Sequence, residues 1–226
     1  LGRVRPGLKK AIPTNPSAKA HAFNLMEAAD QSKYLMSEDL EGLAAELTLS
    51  GGNAFGKLMG TVTSQLTVDF ELDGKVQKLP MPALINLRTH ADGDVRRRAY
   101  EAENKAWESV KEVLAASLNG VKGEVGTLNK RRGREDALHS ALDMARIDRA
   151  TLNAMMGAMK DSFPLFRRYF QHKAKLLGKD KLAWYDLYAP VGKSAGTISY
   201  EDARDFIIKN FANFSPELAA FAKRAY

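Results

Sequence analysis

The stretch from Asp94 to Leu128 reads DVRRRAYEAENKAWESVKEVLAASLNGVKGEVGTL. Within it Ala99, Ala102, Ala106, Val110, Val113, Leu114, Leu118, Val121, Val125 and Leu128 recur mostly at intervals of three and four. That spacing lines them along one stripe of an α-helix. The stripe persists for roughly 35 residues, about 50 Å at the usual helical rise. Asp92 or Asp94 is placed to cap its start. Gly120, Gly123 and Gly126 weaken the second half and let a neighbour approach closely. A helix this long makes the fold mainly α.

Upstream, residues 1 to about 20 are rich in Pro, Gly and Lys and read as a lead-in. His21, Phe23, Leu25 and Met26 suit a short helix. Ser37-Glu38-Asp39-Leu40 opens an amphipathic one, with Leu40, Leu43, Ala44 and Leu47 on one face. Ser50-Gly51-Gly52 ends it, two glycines permitting left-handed capping geometry. Another helix follows from Ala54 to about Leu66. Leu66, Val68, Phe70 and Leu72 then alternate with Thr67, Asp69 and Glu71 before Asp73-Gly74, Val76 and Leu79. Asp-Gly between alternating runs predicts a β-hairpin, because both turn residues need positive φ. Pro80 and Pro82 close it.

Downstream, a helix is predicted from about Asp148 into Lys175, kinked or restarted near Pro164. A loop holding Trp184, Tyr185, Tyr188 and Pro190 leads to Ser199, which with Asp202 resembles a capping box. Ser215-Pro216 starts a last helix, predicted to run on at Tyr226.

The chain has 226 residues, 45% of them hydrophobic, and no cysteine. Disulfides and thiolate metal sites are therefore excluded, and a reducing compartment is favoured. No apolar run approaches the roughly 20 residues of a membrane helix, so no membrane partner is expected. The first residues lack the apolar core of a signal peptide, and no initiator Met is present; the chain is expected to begin inside a longer protein. A net charge of +7 raises nucleic acid as a partner. Yet the basic clusters Arg96-Arg97-Arg98 and Lys130-Arg131-Arg132 with Arg134 have acids beside them, the pattern of solvated helix faces. Nucleic acid is not the expected partner.

Several motifs imitate sites and break at named positions. Gly51-Gly52-Asn53-Ala54-Phe55-Gly56-Lys57 has P-loop spacing, but Leu58 stands where Mg²⁺ binding needs a hydroxyl, and an acidic helix precedes it instead of a strand. Asp69, Glu71 and Asp73-Gly74 resemble half an EF-hand loop whose twelfth position is Pro80, not Glu. Of His21, His90, His139 and His172, only His139 has an acid, Asp143, at helical spacing, and two ligands do not make a zinc site. There is no Gly-x-Ser-x-Gly elbow and no thiol nucleophile. Trp184, Tyr185 and Tyr188, beside Pro190 and Gly192, either line a ligand groove or seal the core where helices meet.

Seven stretches taken in order resemble the oligoendopeptidase F family of thimet-oligopeptidase-like zinc peptidases. They are LSGGNAFGKLMGTVTSQLTV (Leu49 to Val68), LPMPALINL (Leu79 to Leu87), DVRRRAYEAENKAWE (Asp94 to Glu108), LNGVKGEV (Leu118 to Val125), ALHSAL (Ala137 to Leu142), WYDLYAP (Trp184 to Pro190) and SYEDARDFIIKNFANFSPELAAFAKRAY (Ser199 to Tyr226). The resemblance implies a cytoplasmic, largely helical metallopeptidase whose two lobes enclose a channel for short peptides. Its zinc would be held by a His-Glu-x-x-His helix and a later Glu, with the motif Glu as general base. In the family that motif follows the segment matching Ser199 to Tyr226, so no catalytic residue and no zinc ligand is carried onto this chain.

The resemblance therefore implies a helical peptidase lobe with one β-hairpin, truncated before the zinc-binding core. Residues 1–37 would be lead-in and remnant of an amino-terminal helical segment. Residues 38–90 resemble the family's amino-terminal oligopeptidase domain, and 91–226 the first part of its catalytic domain. Such a piece would serve as scaffold and channel wall, with Trp184, Tyr185 and Tyr188 as candidate substrate-channel residues. Zinc is expected in the parent and not on this piece, and self-association would be an artefact of truncation. The alternative is a non-catalytic helical module that binds peptides or a partner protein.

Overall fold

A computed structural model describes residues 5–192 and 196–226. They form two compact units, Leu1–Pro190 and Val191–Tyr226.

In the first unit the lead-in is folded into short helices, α1 (Arg5–Ala11) and α2 (Pro16–Ala20). Asn15 caps α2 by accepting from the Ala18 amide, and Pro16 occupies a first-turn position that needs no donor. At seven and five residues, two turns or fewer, they are too short to show a helical period in the sequence. Then come α3 (Ala22–Gln31) and α4 (Glu38–Ser50). The α4 stripe does not enter a core: Leu40, Leu43 and Leu47 are exposed and only Ala44 is buried.

Next are α5 (Gly52–Gln65), β1 (Thr67–Leu72), β2 (Lys75–Pro80) and α6 (Met81–Asn86). The hairpin pairs Thr67 with Pro80 through Leu72 with Lys75. Its turn has Asp73 at φ 52° and Gly74 at φ 73°, the pair of positive values that sequence predicts. Pro82 lies in the first turn of α6, where a missing amide costs nothing.

The long helix is α7 (Gly93–Arg131), 39 residues, with Asp92 as its cap at 2.8 Å from the Asp94 amide. Phe70, Met81, Leu84, Val95 and Ala99 form the buried core, with Leu66, Val68, Leu79, Ala102, Ala106 and Trp107 packed on it. The hairpin and α6 thus close over the first turns of α7, while α5 lies along its second half. Gly120 permits that approach, since a Cβ there would overlap the Phe55 ring; at Gly123 and Gly126 nothing comes within 4 Å.

After α7 come α8 (His139–Ala145) and α9 (Arg149–Leu176), the latter capped by Asp148 and unbroken through Pro164. Met155, Met156, Met159, Phe163, Phe166 and Tyr169 of α9 are exposed. A turn at Trp184–Asp186 precedes the end of this unit.

The second unit is a helical pair, α10 (Tyr200–Phe214) packed on α11 (Pro216–Lys223). Ser199 caps α10 through the Asp202 amide at 3.0 Å, while the Asp202 carboxylate accepts from the Ser199 hydroxyl at 2.7 Å instead of from its amide. Ser215 caps α11. That helix ends at Lys223, before Tyr226.

Candidate functional site

Asp186 sits at the centre of the aromatic sequence and is fully buried. Its Oδ1 accepts from Arg96 Nε at 3.2 Å and Nη2 at 2.9 Å, and its Oδ2 from Lys179 Nζ. Arg96 is also buried, and its Nη1 donates to the carbonyls of His90 and Ala91 at 2.6 and 2.8 Å. Buried Lys173 on α9 donates to the Leu187 carbonyl at 2.7 Å. Burying a lone charge is prohibitive, but here every charge has a partner of opposite sign or a carbonyl. Burial alone would raise the Asp186 carboxyl; the hydrogen bonds and charges of Lys179 and Arg96 outweigh it and hold it below its ordinary 3.8.

Around this anchor the chain turns tightly. The Asp186 amide donates to Ala183, that of Leu187 to Trp184 and that of Ala189 to Asp186. Tyr185 turns inward, its ring 6.0 Å from that of Tyr100 and beneath Lys179. Trp184 and Tyr188 turn outward, 66% and 64% exposed. These two rings do not seal a core. Of the three aromatic candidates, only Tyr185 packs into the protein.

By sequence, Arg96-Arg97-Arg98 has the pattern of one solvated cluster. Arg97 and Arg98 do pair with Asp94 and Glu101 at the surface. Arg96 is the exception, as is buried Glu103, which accepts from Arg88 Nη2 at 2.6 and 2.8 Å and from Trp107 Nε1. The signal was available: Arg96, Ala99 and Glu103 share the stripe that carries the apolar residues.

The P-loop imitation fails in space for a reason not visible in the sequence. The Gly52 amide, where a phosphate would bind, donates to Glu124 Oε2 at 2.5 Å, and Thr48 donates to Glu124 Oε1 at 2.8 Å. A carboxylate from α7 thus occupies the positive end of α5. Gly51 has φ −91°, so it does not adopt the left-handed cap that the sequence suggested. It is small because a Cβ there would overlap the Glu124 carboxylate. Asp69, Glu71 and Asp73 line the exposed side of the hairpin.

His139 accepts from the Glu135 amide through Nδ1, and its Nε2 lies 2.9 Å from Tyr34 Oη and 3.7 Å from Asp143. Asp143 pairs with Arg134, whose guanidinium stacks 3.8 Å over Tyr34. The hollow beside it, roughly 470 Å³, is lined by Glu27, Gln31, Arg134, Asp143 and Arg146. Both of its arginines are already committed to carboxylates, Arg134 to Asp143 and Arg146 to Glu27. His90 Nδ1 is taken up by the Asp92 amide. Among the described residues no three His, Asp or Glu side chains converge as metal ligands. These residues do not fit a zinc site.

No family model matches the chain. It is 26% identical over 220 residues to oligopeptidase PepF of Bacillus subtilis, covering 96% of this chain and 33% of that protein. It is 24% identical over 166 residues to group B oligopeptidase PepB of Streptococcus agalactiae, covering 74% of this chain and 28% of that one. The crystal structure of oligoendopeptidase-F from Enterococcus faecium superposes with a TM-score of 0.73 at 18% identity, over 94% of this chain and 44% of that one. The chain resembles oligoendopeptidase F. The likeness holds in sequence and in fold, the mainly helical architecture with its one hairpin included. PZ peptidase A, solved with an inhibitor, has the same fold at a TM-score of 0.70. The chain spans about a third of the length of the curated relatives it matches. No helix among the described residues is long and apolar enough to cross a membrane.

Proposed function

We propose that this chain is part of a cytoplasmic zinc metalloendopeptidase of the oligoendopeptidase F type, which hydrolyses short peptides. These residues supply scaffold and channel wall and are inactive alone. The observation that carries the reading is the alignment with an oligopeptidase over 96% of this chain against 33% of the relative. In this reading the metal is held by residues of the parent outside this chain. Zinc there would polarise the scissile carbonyl and activate water; no step of that chemistry is assigned to a residue of this chain.

The test uses the full-length gene product and a quenched oligopeptide. Cleavage that stops on chelation and returns with zinc is the expected outcome. Cleavage indifferent to chelation removes zinc from the proposal, and no cleavage removes the peptidase and favours a binding module. The 226-residue chain itself is expected to retain no stoichiometric zinc after dialysis, measured by elemental analysis.

A further inference from the structure

We propose that α1–α3 form a strap, hinged at residues 35–37 and latched to the α7–α9 junction by Arg134 and Arg146, which high ionic strength releases while the core stays folded.

The hydrophobic core contains no residue of this segment. Phe70, Met81, Leu84, Val95 and Ala99, and the side chains packed on them, all come from Leu66 onward. Within α3 the buried residue is Ala29, and its single methyl group removes little apolar surface from water. The larger Phe23 is 61% exposed. Polar contacts join this segment to residues 103 to 119 positions further along the chain. Arg146 forks onto Glu27, Nε donating to Oε1 at 2.8 Å and Nη2 to Oε2 at 2.9 Å, and lies over the Phe23 ring. Arg134 donates to Gln31 Oε1 at 2.9 Å, stacks on Tyr34 and is itself paired with Asp143. The Tyr34 hydroxyl lies 2.9 Å from His139 Nε2.

The strap has a pivot in its backbone. Leu35 (φ −73°, ψ 139°) and Ser37 (φ −60°, ψ 156°) are extended. Beyond them α4 is fixed independently. Glu41 accepts from Arg132 at 2.9 and 2.6 Å and from the Met36 amide at 3.0 Å, and Thr48 donates to Glu124 of α7. Movement is thus confined to the residues before α4. Arginine–carboxylate pairs near a surface contribute little net stability. Salt screens them, the Debye length falling from about 10 Å at 0.1 M to about 3 Å at 1 M. Their forked geometry fixes one register while the contacts last. A joint built this way closes in a single position and opens at small cost, which an apolar core does not.

Hydrogen exchange read by mass spectrometry on the full-length gene product, in about 0.1 M and about 1 M sodium chloride, tests this. An undocked α3 of 10 residues is too short to hold its helix in water, so release exposes its amides. In the wild type, protection of α3 is expected to fall at least about fivefold between the two salts, while β1, β2 and α6 stay within about twofold. Arg134→Gln and Arg146→Gln should produce that loss already at the lower salt. Arg97→Gln, which removes a surface pair outside the strap, should not. Exchange in α3 that ignores salt in the wild type overturns the inference, as does loss of protection in strap and core together. A salt response that persists unchanged in both latch variants also overturns it, since other contacts would then carry the joint.

Discussion

Three single residues carry more of this structure than their types suggest. Asp186 is the first. Replacing it with Asn leaves Arg96 and Lys179 facing a neutral amide, and breaking a buried pair in this way costs about 3–5 kcal/mol. Urea unfolding of Asp186→Asn should show that loss. The pH dependence follows from the depressed carboxyl. A carboxylate whose folded pKa lies below its unfolded value stabilises the protein fully above the unfolded value, near 3.8, and stops doing so as pH falls through the folded one. Acid titration should therefore destabilise the wild type below about pH 4, and that component should be missing in Asp186→Asn. Gly120 is the second. A methyl group there overlaps the Phe55 ring, so Gly120→Ala should cost about 1–3 kcal/mol by overpacking. Phe55→Leu should restore part of it, the coupling expected of touching side chains. Glu124 is the third, and Glu124→Ala should cost about 1–3 kcal/mol because the Gly52 amide and Thr48 hydroxyl lose their acceptor.

Among the elements, the hairpin and the capped helices behave as local chemistry dictates. Gly74 at φ 73° tolerates no side chain without strain. Gly74→Ala should therefore lower stability by about 1–2 kcal/mol with no change in the core, as checked by the near-ultraviolet signal of the tryptophans. The caps of α10 and α11 are made by Ser199 and Ser215, and loss of either hydroxyl should fray its helix for about 1 kcal/mol. Fraying would appear as faster amide exchange in the first turn alone. The capping box at Ser199 was legible from spacing; that its acid would bond the hydroxyl was not, because rotamer choice at the second partner depends on the folded turn. The α4 stripe is the instructive miss. Its spacing marks an apolar face correctly, but periodicity says which residues share a face and not whether anything covers it.

Over the whole molecule, the outstanding property is the amount of apolar side chain in contact with water. Phe163, Phe166 and Tyr169 on α9 are exposed, as are Phe206, Phe214 and Phe221 on α10 and α11. Scattered exposed apolar residues are ordinary, but runs of them along one helix favour association. Sedimentation of the 226-residue chain should show average mass rising with concentration. Phe163→Gln with Phe166→Gln should reduce that rise without lowering the melting temperature, since neither side chain is buried. A full-length parent that covers these faces should sediment at constant mass.

Local sequence specifies the longer helices α4, α5, α7, α9 and α10, the hairpin and its turn, the caps at Asp92, Asp148, Ser199 and Ser215, and the resemblance to oligoendopeptidase F. Each of those is written within a few neighbouring residues, as a period, a turn pair or a hydroxyl before a helix, or in the order of short stretches. The three-dimensional path alone establishes that Arg96 is buried while Arg97 and Arg98 are not, that Asp186 is fully buried with only Tyr185 of the three rings turned inward beside it, and that Glu124 fills the start of α5. Those outcomes join groups 90 and 72 positions apart in the chain. A charge reads the same in sequence whether its partner is water or a distant carboxylate. The path of the backbone settles which it meets, and with it whether a polar residue lies at the surface or in the core.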